Sequence, residues 1–186
     1  MDKELRSSFR LDDEITLRTF VEKDAAAVLE TVVQNREHLQ TFMRWMTPDY
    51  SLETAKNFIK RAAESFAEKK NTGFGVFRGD KLIGSVGFVH FDWDARKTEI
   101  GYWIAKEEEG KGLVSAAVKV LIEYAFEDLG MNRVEIRCST ENSRSAAVPL
   151  RLGFKKEGEF RQAEIIHGKL HDFNIYALLA DDPRPD

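Results

Sequence analysis

The chain of 186 residues has a single cysteine and lacks any long apolar run. Cys138 cannot form an intramolecular disulfide, which excludes a small disulfide-stapled domain. No apolar stretch approaches the ~20 residues that a membrane-spanning helix needs. Residues 1–10 carry charges where a secretion signal would need an apolar run. We therefore expect a protein of the reducing cytoplasm that has no membrane partner.

Neither sign of charge is in large excess. The chain has 28 Lys and Arg against 32 Asp and Glu, a formal net charge of -4, which argues against a protein that coats nucleic acid. Hydrophobic residues make up 42% of the chain, enough for a folded core rather than intrinsic disorder. No repeat and no Gly-, Ser- or Pro-rich linker divides the sequence. We expect one domain over residues 1–186, with residues 1–10 and 181–186 frayed.

The order of helical and strand patterns predicts an α+β fold. Apolar residues at helical spacing predict helices over residues 22–35, 36–45, 51–70, 113–129 and 145–152. Alternating patterns predict strands over residues 15–20, 74–78, 81–91, 97–104, 134–138, 154–161 and 169–179. Residues 74–104 are expected to form an antiparallel meander. The helices and strands that follow indicate a layered fold whose central sheet mixes antiparallel and parallel pairs.

The turn between strand 97–104 and helix 113–129 is the most informative segment. It contains Gly110, Lys111 and Gly112. A glycine-bearing turn that enters a helix exposes unpaired backbone N–H groups beside the positive end of the helix dipole, which favours a phosphate. Lys111 adds a point charge. The spacing does not match a Walker loop, and Ser115 stands where a dinucleotide-binding loop has its third glycine.

Several motifs together carry a resemblance to a known family. Residues 109–114 are similar to a loop of the form Gln/Arg-x-x-Gly-x-Gly/Ala, with Glu109 in place of Gln or Arg and Val114 in place of a small residue. Residues 142–145 and 152–154 resemble Asn-x-x-Ser and Leu-Gly-Phe motifs, and residues 35–45 and 158–161 with Asp172 resemble one subgroup. These motifs resemble the GNAT N-acetyltransferase superfamily, most closely its RimJ/RimL group of ribosomal-protein N-terminal acetyltransferases.

The resemblance implies a fold and a cosubstrate. It implies a mixed, mostly antiparallel central sheet with helices on both faces, in which strands 97–104 and 134–138 splay apart to form a slot for coenzyme A. The pantetheine arm would add there like a further strand, and backbone groups near Ile104 would polarise the thioester carbonyl. No metal is expected. The residues implied to bind acetyl-CoA are Trp103, Ile104, Gly110, Lys111, Gly112, Leu113, Val114, Ser115 and Asn142.

The resemblance also implies the catalytic residues. Ser145 lies at the position of a hydroxyl that faces the departing thiolate, while Pro149 replaces the tyrosine that many relatives use. A plain helix N-cap over residues 142–145 is the alternative for this motif. Glu164 is the expected base for the attacking amine, with Glu99 and Asp172 as alternatives.

The expected reaction is direct transfer of acetyl from acetyl-CoA to a primary amine. The resemblance implies that the acceptor is a protein N-terminal α-amine of the ribosomal type. Because the reference pKa of an α-amine is near 8, it is far cheaper to deprotonate than a lysine, and a modest base suffices. A small amine such as a polyamine, amino acid or drug is one alternative, and a non-catalytic acyl-CoA-binding module is the other. His167 and His171 lie in a β pattern, which disfavours a metal pair. Cys138 is expected to be a packing residue, and a homo-oligomer is expected from exposed aromatics and the family.

Overall fold

Eight strands form one sheet in the computed structural model, which describes residues 4–185. Their order across the sheet is β1-β2-β3-β4-β5-β6-β8-β7. Neighbouring strands are antiparallel except β5 and β6, which are parallel. The strands are Ser8–Arg10 (β1), Ile15–Thr19 (β2), Thr72–Arg78 (β3), Lys81–Asp92 (β4), Lys97–Ile104 (β5), Arg133–Ser139 (β6), Lys155–Ile166 (β7) and Lys169–Leu179 (β8). The expected mixed, mostly antiparallel sheet is confirmed.

Helices cover both faces of this sheet. The α-helices are Ala25–Gln34 (α1), Arg36–Gln40 (α2), Leu52–Ala67 (α3), Leu113–Glu123 (α4) and Ser143–Arg151 (α5). A cluster of buried residues under α4 and α5 includes Ile100, Val134 and Ile136, and we call that side the α4 face. A second cluster joins α1, α2 and α3 to Phe77 and Leu82, and we call that side the α1 face. Side chains of one strand alternate between the two faces.

Strands β5 and β6 separate along their length. Their register covers only Lys97–Arg133, Thr98–Val134 and Glu99–Glu135. Beyond these pairs β5 stays hydrogen-bonded to β4, and β6 stays hydrogen-bonded to β8. The opening lies between residues 101–104 of β5 and residues 136–139 of β6, and we call it the slot. The expected splayed strand pair is confirmed.

The ends of the chain differ from the expectation of fraying. Residues Ser8–Arg10 pair with β2, so residues 1–10 are not wholly frayed, and Met1–Lys3 lie outside the described residues. At the other end Asp182 accepts a hydrogen bond from the Leu179 amide at 3.0 Å and pairs with Lys155, which ties the start of the tail to the sheet. Asp186 lies outside the described residues. The three-residue β1 is too short to show a clear alternating pattern.

Several elements end at other residues than the sequence predicts. Helix α2 ends at Gln40 rather than residue 45, and α4 passes into a π-helical turn over Tyr124–Asp128. Strand β7 runs to Ile166, beyond the predicted residue 161, because bulges interrupt its alternation. Strands 97–104 and 169–179 agree residue for residue. Among the described residues, no helix combines the length and the apolar character needed to cross a membrane.

We predict that an alanine at Gly84 disturbs the edge of the slot. A Cβ built there lies 2.5 Å from the carbonyl oxygen of Trp103 and 3.1 Å from the Cα of Ile104, so β5 would have to shift. Gly84→Ala should lower the free energy of unfolding by about 1–3 kcal/mol in urea titrations.

Gly73→Ala is the matched control, because a Cβ on that strand glycine meets nothing within 4 Å. It should change the free energy of unfolding by less than about 0.5 kcal/mol. Equal effects of the two variants would contradict the close approach of β4 and β5.

Candidate active site

The first turn of α4 is open to a ligand. Gly112 is the N-cap with φ +77°, and no side chain caps the turn. Gly110 has φ +75°, and a Cβ at either glycine would meet nothing within 4 Å. The first N–H groups of a helix have no partner within the helix, so these amides point into free space beside the positive end of the dipole. This site fits a diphosphate such as that of acetyl-CoA.

Side chains predicted around this loop have other partners. The ammonium group of Lys111 donates to Glu108 at 3.0 Å instead of standing free for a phosphate. The Ser115 hydroxyl accepts a hydrogen bond from Arg151 at 2.8 Å, while Leu113 and Val114 pack against the core with their side chains. Because the side chains of Lys111 and Ser115 already have partners, the backbone amides are the donors that the loop has available for an anion.

The acidic residues before the loop are paired. Glu108 is buried and lies 2.8 Å from Arg78 as well as close to Lys111. Glu109 lies 2.6 Å from Arg144, and its other oxygen lies 3.6 Å from His38 Nε2. These cations offset most of the repulsion that a phosphate would otherwise meet from the two carboxylates.

On the α4 face of the slot, Ser145 lies in a cluster of polar groups. Its hydroxyl is 3.2 Å from the hydroxyl of Tyr102, which donates to the Ser145 carbonyl oxygen at 2.9 Å. Burial raises the pKa of Tyr102, so this side chain stays a neutral phenol. Burial also raises the pKa of Cys138, although a hydrogen bond with Ser145 opposes the rise. A thiol that stays protonated is a poor nucleophile, in agreement with Cys138 as a packing residue.

Asn142 begins α5 as its N-cap. Its side-chain oxygen accepts a hydrogen bond from the Ser145 amide at 3.0 Å, so the alternative from the sequence, a helix cap, is present. The cap fixes the first turn of α5 and with it the Ser145 hydroxyl at the slot. Because the oxygen is used, the amide nitrogen of Asn142 is the group left to donate to a pantetheine carbonyl.

The α1 face of the slot carries carboxylates and aromatic rings. Trp103 points to this face, where its ring centroid lies 6.1 Å from that of Trp45. Glu99 lies on the same face, and its carboxylate is 3.3 Å from Arg137 Nε. Burial raises the pKa of Glu99, Arg137 lowers it, and the charges of Glu135 and Glu164 raise it further.

Glu164 lies on the α1 face as well. Glu164 is directly opposite His171 of β8. His171 shares one face of β8 with Phe173 and Ile175, and Ile175 is directly opposite Arg137. Directly paired residues share a face, so Glu164 stands on the side of Glu99 and Arg137. It is half-buried, and among the described residues no hydrogen bond or ion pair fixes its carboxylate.

Asp172, the third carboxylate considered, has a structural role. Its side chain accepts the amide of Gln162 at 2.6 Å inside the bulge of β7. Gln162 has φ +51°, a conformation unfavourable for a side-chain-bearing residue, which this hydrogen bond helps to hold. The bulge ends next to Glu164, so Asp172 contributes to where Glu164 lies.

The two histidines four residues apart belong to the β7–β8 hairpin. His167 lies in its turn with φ +48°, and His171 is buried with Nδ1 3.6 Å from Glu141. Within residues 4–185, no group of three His, Cys, Asp or Glu side chains could hold a metal ion.

Tyr102 and Arg137 were not predicted as site residues. In the sequence Tyr102 resembles a core aromatic residue, because it shares a strand face with Ile100 and Ile104. The contact of its hydroxyl with Ser145 at the slot is what distinguishes it from a core residue. Arg137 looks like a solvent-facing strand residue, and its ion pair with Glu99 depends on the pairing of two strands distant in sequence.

Comparisons with known proteins agree with this geometry. The acetyltransferase (GNAT) domain family matches residues 14–155. YdaF of Bacillus subtilis (strain 168), named provisionally as a ribosomal N-acetyltransferase, is 37% identical over 171 residues, covering 91% of this chain and 93% of that protein. The ribosomal-protein-serine acetyltransferase of Escherichia coli (strain K12) is 26% identical over 95% of this chain and 99% of that protein.

A solved structure with bound acetyl-CoA has a similar fold. The microcin C7 self-immunity acetyltransferase MccE, in complex with acetyl-CoA and AMP, superposes with a TM-score of 0.88 at 30% identity and covers 95% of this chain and 98% of that one. This chain therefore shares its overall fold with a protein whose structure holds acetyl-CoA. The chain belongs to the GNAT acetyltransferase family and is an acetyl-CoA-dependent N-acetyltransferase.

Proposed function

We propose that this enzyme acetylates the N-terminal α-amine of a protein or peptide, of the ribosomal-protein type, by direct transfer from acetyl-CoA. One observation carries the proposal: the Ser145 hydroxyl lies on the α4 face at the slot, whereas Glu164 of β7 lies on the α1 face, close enough to Glu99 of β5 for its charge to raise the pKa of Glu99. Direct transfer needs a proton acceptor on the side of the amine and a proton donor on the side of the thiol. The slot is the one place in the described sheet where two neighbouring strands separate, and the opening between them connects the two faces.

Glu164 takes the proton of the acceptor amine on the α1 face. An α-ammonium with a reference pKa near 8 costs about 1–1.5 kcal/mol to deprotonate at pH 7, whereas a lysine near 10.4 costs roughly 4.5 kcal/mol. A single half-buried carboxylate is a sufficient base for the first but a weak one for the second. Glu99 is less suited because Arg137 holds its carboxylate, and Asp172 is engaged in the bulge.

Ser145 acts on the α4 face, where the thiol leaves. Acetyl-CoA supplies the acetyl group as a thioester and leaves as a thiol. In the free protein the Ser145 hydroxyl donates to the neutral hydroxyl of Tyr102, which in turn donates to the Ser145 carbonyl oxygen. Rotation of the Ser145 hydroxyl would turn its proton toward the departing thiolate in the slot. Gly110, Gly112 and the first turn of α4 would hold the diphosphate, and Asn142 would donate to the pantetheine. Trp103 and Ile104 would offer the backbone groups of β5 that face the slot.

The relatives support an N-terminal acceptor. The E. coli relative is named for a ribosomal-protein serine, and the B. subtilis relative is named with the ribosomal N-acetyltransferases. Because the family and its relatives are acetyltransferases, the non-catalytic module considered from the sequence has no support. We also propose that the enzyme acts in the cytoplasm and forms a homo-oligomer, for which exposed Ile165 and Leu170 on the β7–β8 hairpin offer an apolar surface.

A small acceptor with a flat ring is the second candidate. Trp45 is 39% exposed and stands beside Trp103 on the α1 face, where the acceptor would enter. Such rings stack on planar groups, and MccE carries AMP together with acetyl-CoA. An aminoacyl nucleotide or an aromatic amine would fit this surface.

The acceptor is tested by thiol release from acetyl-CoA with a panel of amines. We expect turnover on peptides with a free N-terminus and none on the same peptides blocked at the α-amine, with internal lysines left free. Mass spectrometry should find N-termini that lose acetylation when the protein is deleted. Turnover confined to small amines or aminoacyl nucleotides would overturn the N-terminal proposal and favour the second candidate.

We predict that Glu164→Gln lowers kcat about 100-fold at pH 7, the usual range for loss of a general base. The loss should shrink as pH rises through 8 because the α-amine then deprotonates without help. A pH profile of kcat and kcat/KM measures this, and affinity for coenzyme A should stay unchanged.

Glu159→Gln is the control for this variant, because Glu159 is an exposed carboxylate on the same strand that pairs with Lys156. A pH profile of Glu164→Gln that coincides with wild type would remove Glu164 from the mechanism and direct attention to Glu99.

We predict that Tyr102→Phe lowers kcat about 10-fold with little change in KM, since the variant loses the hydrogen bond that the Tyr102 hydroxyl accepts from the Ser145 hydroxyl, worth about 1.4 kcal/mol, together with the one it donates to the Ser145 carbonyl oxygen. Ser145→Ala should cost at least as much, and the double variant should cost little more than Ser145→Ala alone.

Tyr124→Phe also removes a buried hydroxyl contact, to the Arg6 amide at 2.8 Å, but at a distant edge of the fold. It should lower stability without changing kcat. Additive losses for the Tyr102 and Ser145 variants would show that the two hydroxyls do not act together.

A further inference from the structure

The ion pair between Glu109 and Arg144 connects the two sides of the coenzyme site. Glu109 Oε2 lies 2.6 Å from Arg144 Nη1. Glu109 directly precedes the loop that ends at Gly112, and Arg144 lies in the first turn of α5, one residue before Ser145. A ligand that extends from the open turn of α4 to the Ser145 hydroxyl therefore passes beside this ion pair.

Arg144 differs from the other cations near the loop. Its side chain is 76% exposed, so little packing holds it in place. Lys111 and Arg78 both bind the buried carboxylate of Glu108, an arrangement that is costly to break. Glu109 is only 22% exposed, and its other carboxylate oxygen lies 3.6 Å from His38 Nε2, so Glu109 is held in place by more than Arg144.

We propose that Arg144 is a phosphate-binding residue for acetyl-CoA that Glu109 holds in the free enzyme. On binding, phosphate oxygens replace the Glu109 carboxylate as the partner of the guanidinium. An exposed ion pair contributes about 0–1 kcal/mol, whereas a guanidinium binds phosphate through two parallel hydrogen bonds, so the exchange favours the ligand. The proposal rests on the coenzyme site at α4 and does not depend on which amine is acetylated.

Glu109 thereby positions Arg144 in the free enzyme and also competes with the phosphate for its guanidinium group. Its carboxylate stands where the sequence motif of the family carries Gln or Arg, and it offers Arg144 an anion before the ligand arrives. Removal of the charge should free Arg144 and strengthen binding. Removal of Arg144 should make the identity of residue 109 nearly irrelevant to binding. This coupling separates the proposal from a general effect of surface charge.

The test is calorimetric titration of the full chain with coenzyme A. Arg144→Ala should weaken binding about 10-fold, and Arg144→Lys should weaken it less because it keeps the charge without the planar fork. Glu109→Gln should strengthen binding about 3-fold in the wild-type background and leave it unchanged in the Arg144→Ala background.

Two further variants serve as comparators. Arg151→Ala removes a cation whose partner is the neutral Ser115 hydroxyl, so any loss it causes should not depend on residue 109. Arg10→Ala breaks an exposed ion pair with Asp13 on the far edge strand and should leave affinity unchanged. Thermal unfolding of every variant should stay within a few degrees of wild type.

Truncated ligands identify the phosphate. If the loss from Arg144→Ala disappears with 3′-dephospho-coenzyme A, Arg144 binds the 3′-phosphate. If it persists there and disappears with pantetheine, Arg144 binds the diphosphate. An equal loss on pantetheine, no loss on coenzyme A, or weaker binding by Glu109→Gln would overturn the proposal. The assay contains no amine, so these results stay separate from the test of the acceptor.

Discussion

The end of hydrogen bonding between β5 and β6 is the constraint on which the site depends. Three residue pairs hold the parallel strands together, and after Glu99 and Glu135 each strand keeps only its outer neighbour. Unpaired strand edges inside a sheet are costly unless something takes the place of the missing strand. A pantetheine arm with its two amides is suited to do so, which links the cost in the free protein to affinity for the cosubstrate.

The slot also divides the chemistry between two faces that side-chain alternation keeps apart. Along β5, Glu99 and Trp103 point to the α1 face, whereas Tyr102 points to the α4 face. The hydroxyls of Ser145 and Tyr102 lie on the thiol side, where burial raises the pKa of Tyr102, and the carboxylates of Glu99 and Glu164 lie on the amine side. The base can therefore take a proton from the amine, and the acid can donate one to the leaving thiolate, without neutralising each other, because the sheet separates the two groups.

Much of the fold follows from local pattern, but the site follows only in part. Alternation gave β5 and β8 residue for residue, and the glycines of the loop gave the open turn of α4. The N-cap at Asn142 was one of the two alternatives for its motif, whereas the pairing of Lys111 with Glu108 did not follow, since it depends on how the turn before the loop folds. The sequence does not predict the roles of Arg137 and Tyr102. Arg137 acts through a contact with Glu99 on another strand, and Tyr102 acts through a contact with Ser145 at the slot. The position of Glu164 depends on a bulge that no period in the sequence reveals.

The acidic run before the loop shows how an anion site tolerates carboxylates as neighbours. Glu107 lies 3.5 Å from Lys81, Glu108 is shared by Arg78 and Lys111, and Glu109 faces Arg144. Arg78 also lies 3.6 Å from Glu14, so four carboxylates meet four cations and the local charge is about balanced before the helix dipole is counted. The burial of Glu108 fixes the strand end, the loop and β3 to one another, so the backbone amides of Gly112 and the following turn are set in position without a ligand. Affinity for the diphosphate can therefore come from preorganised main-chain donors, which no single side-chain substitution removes.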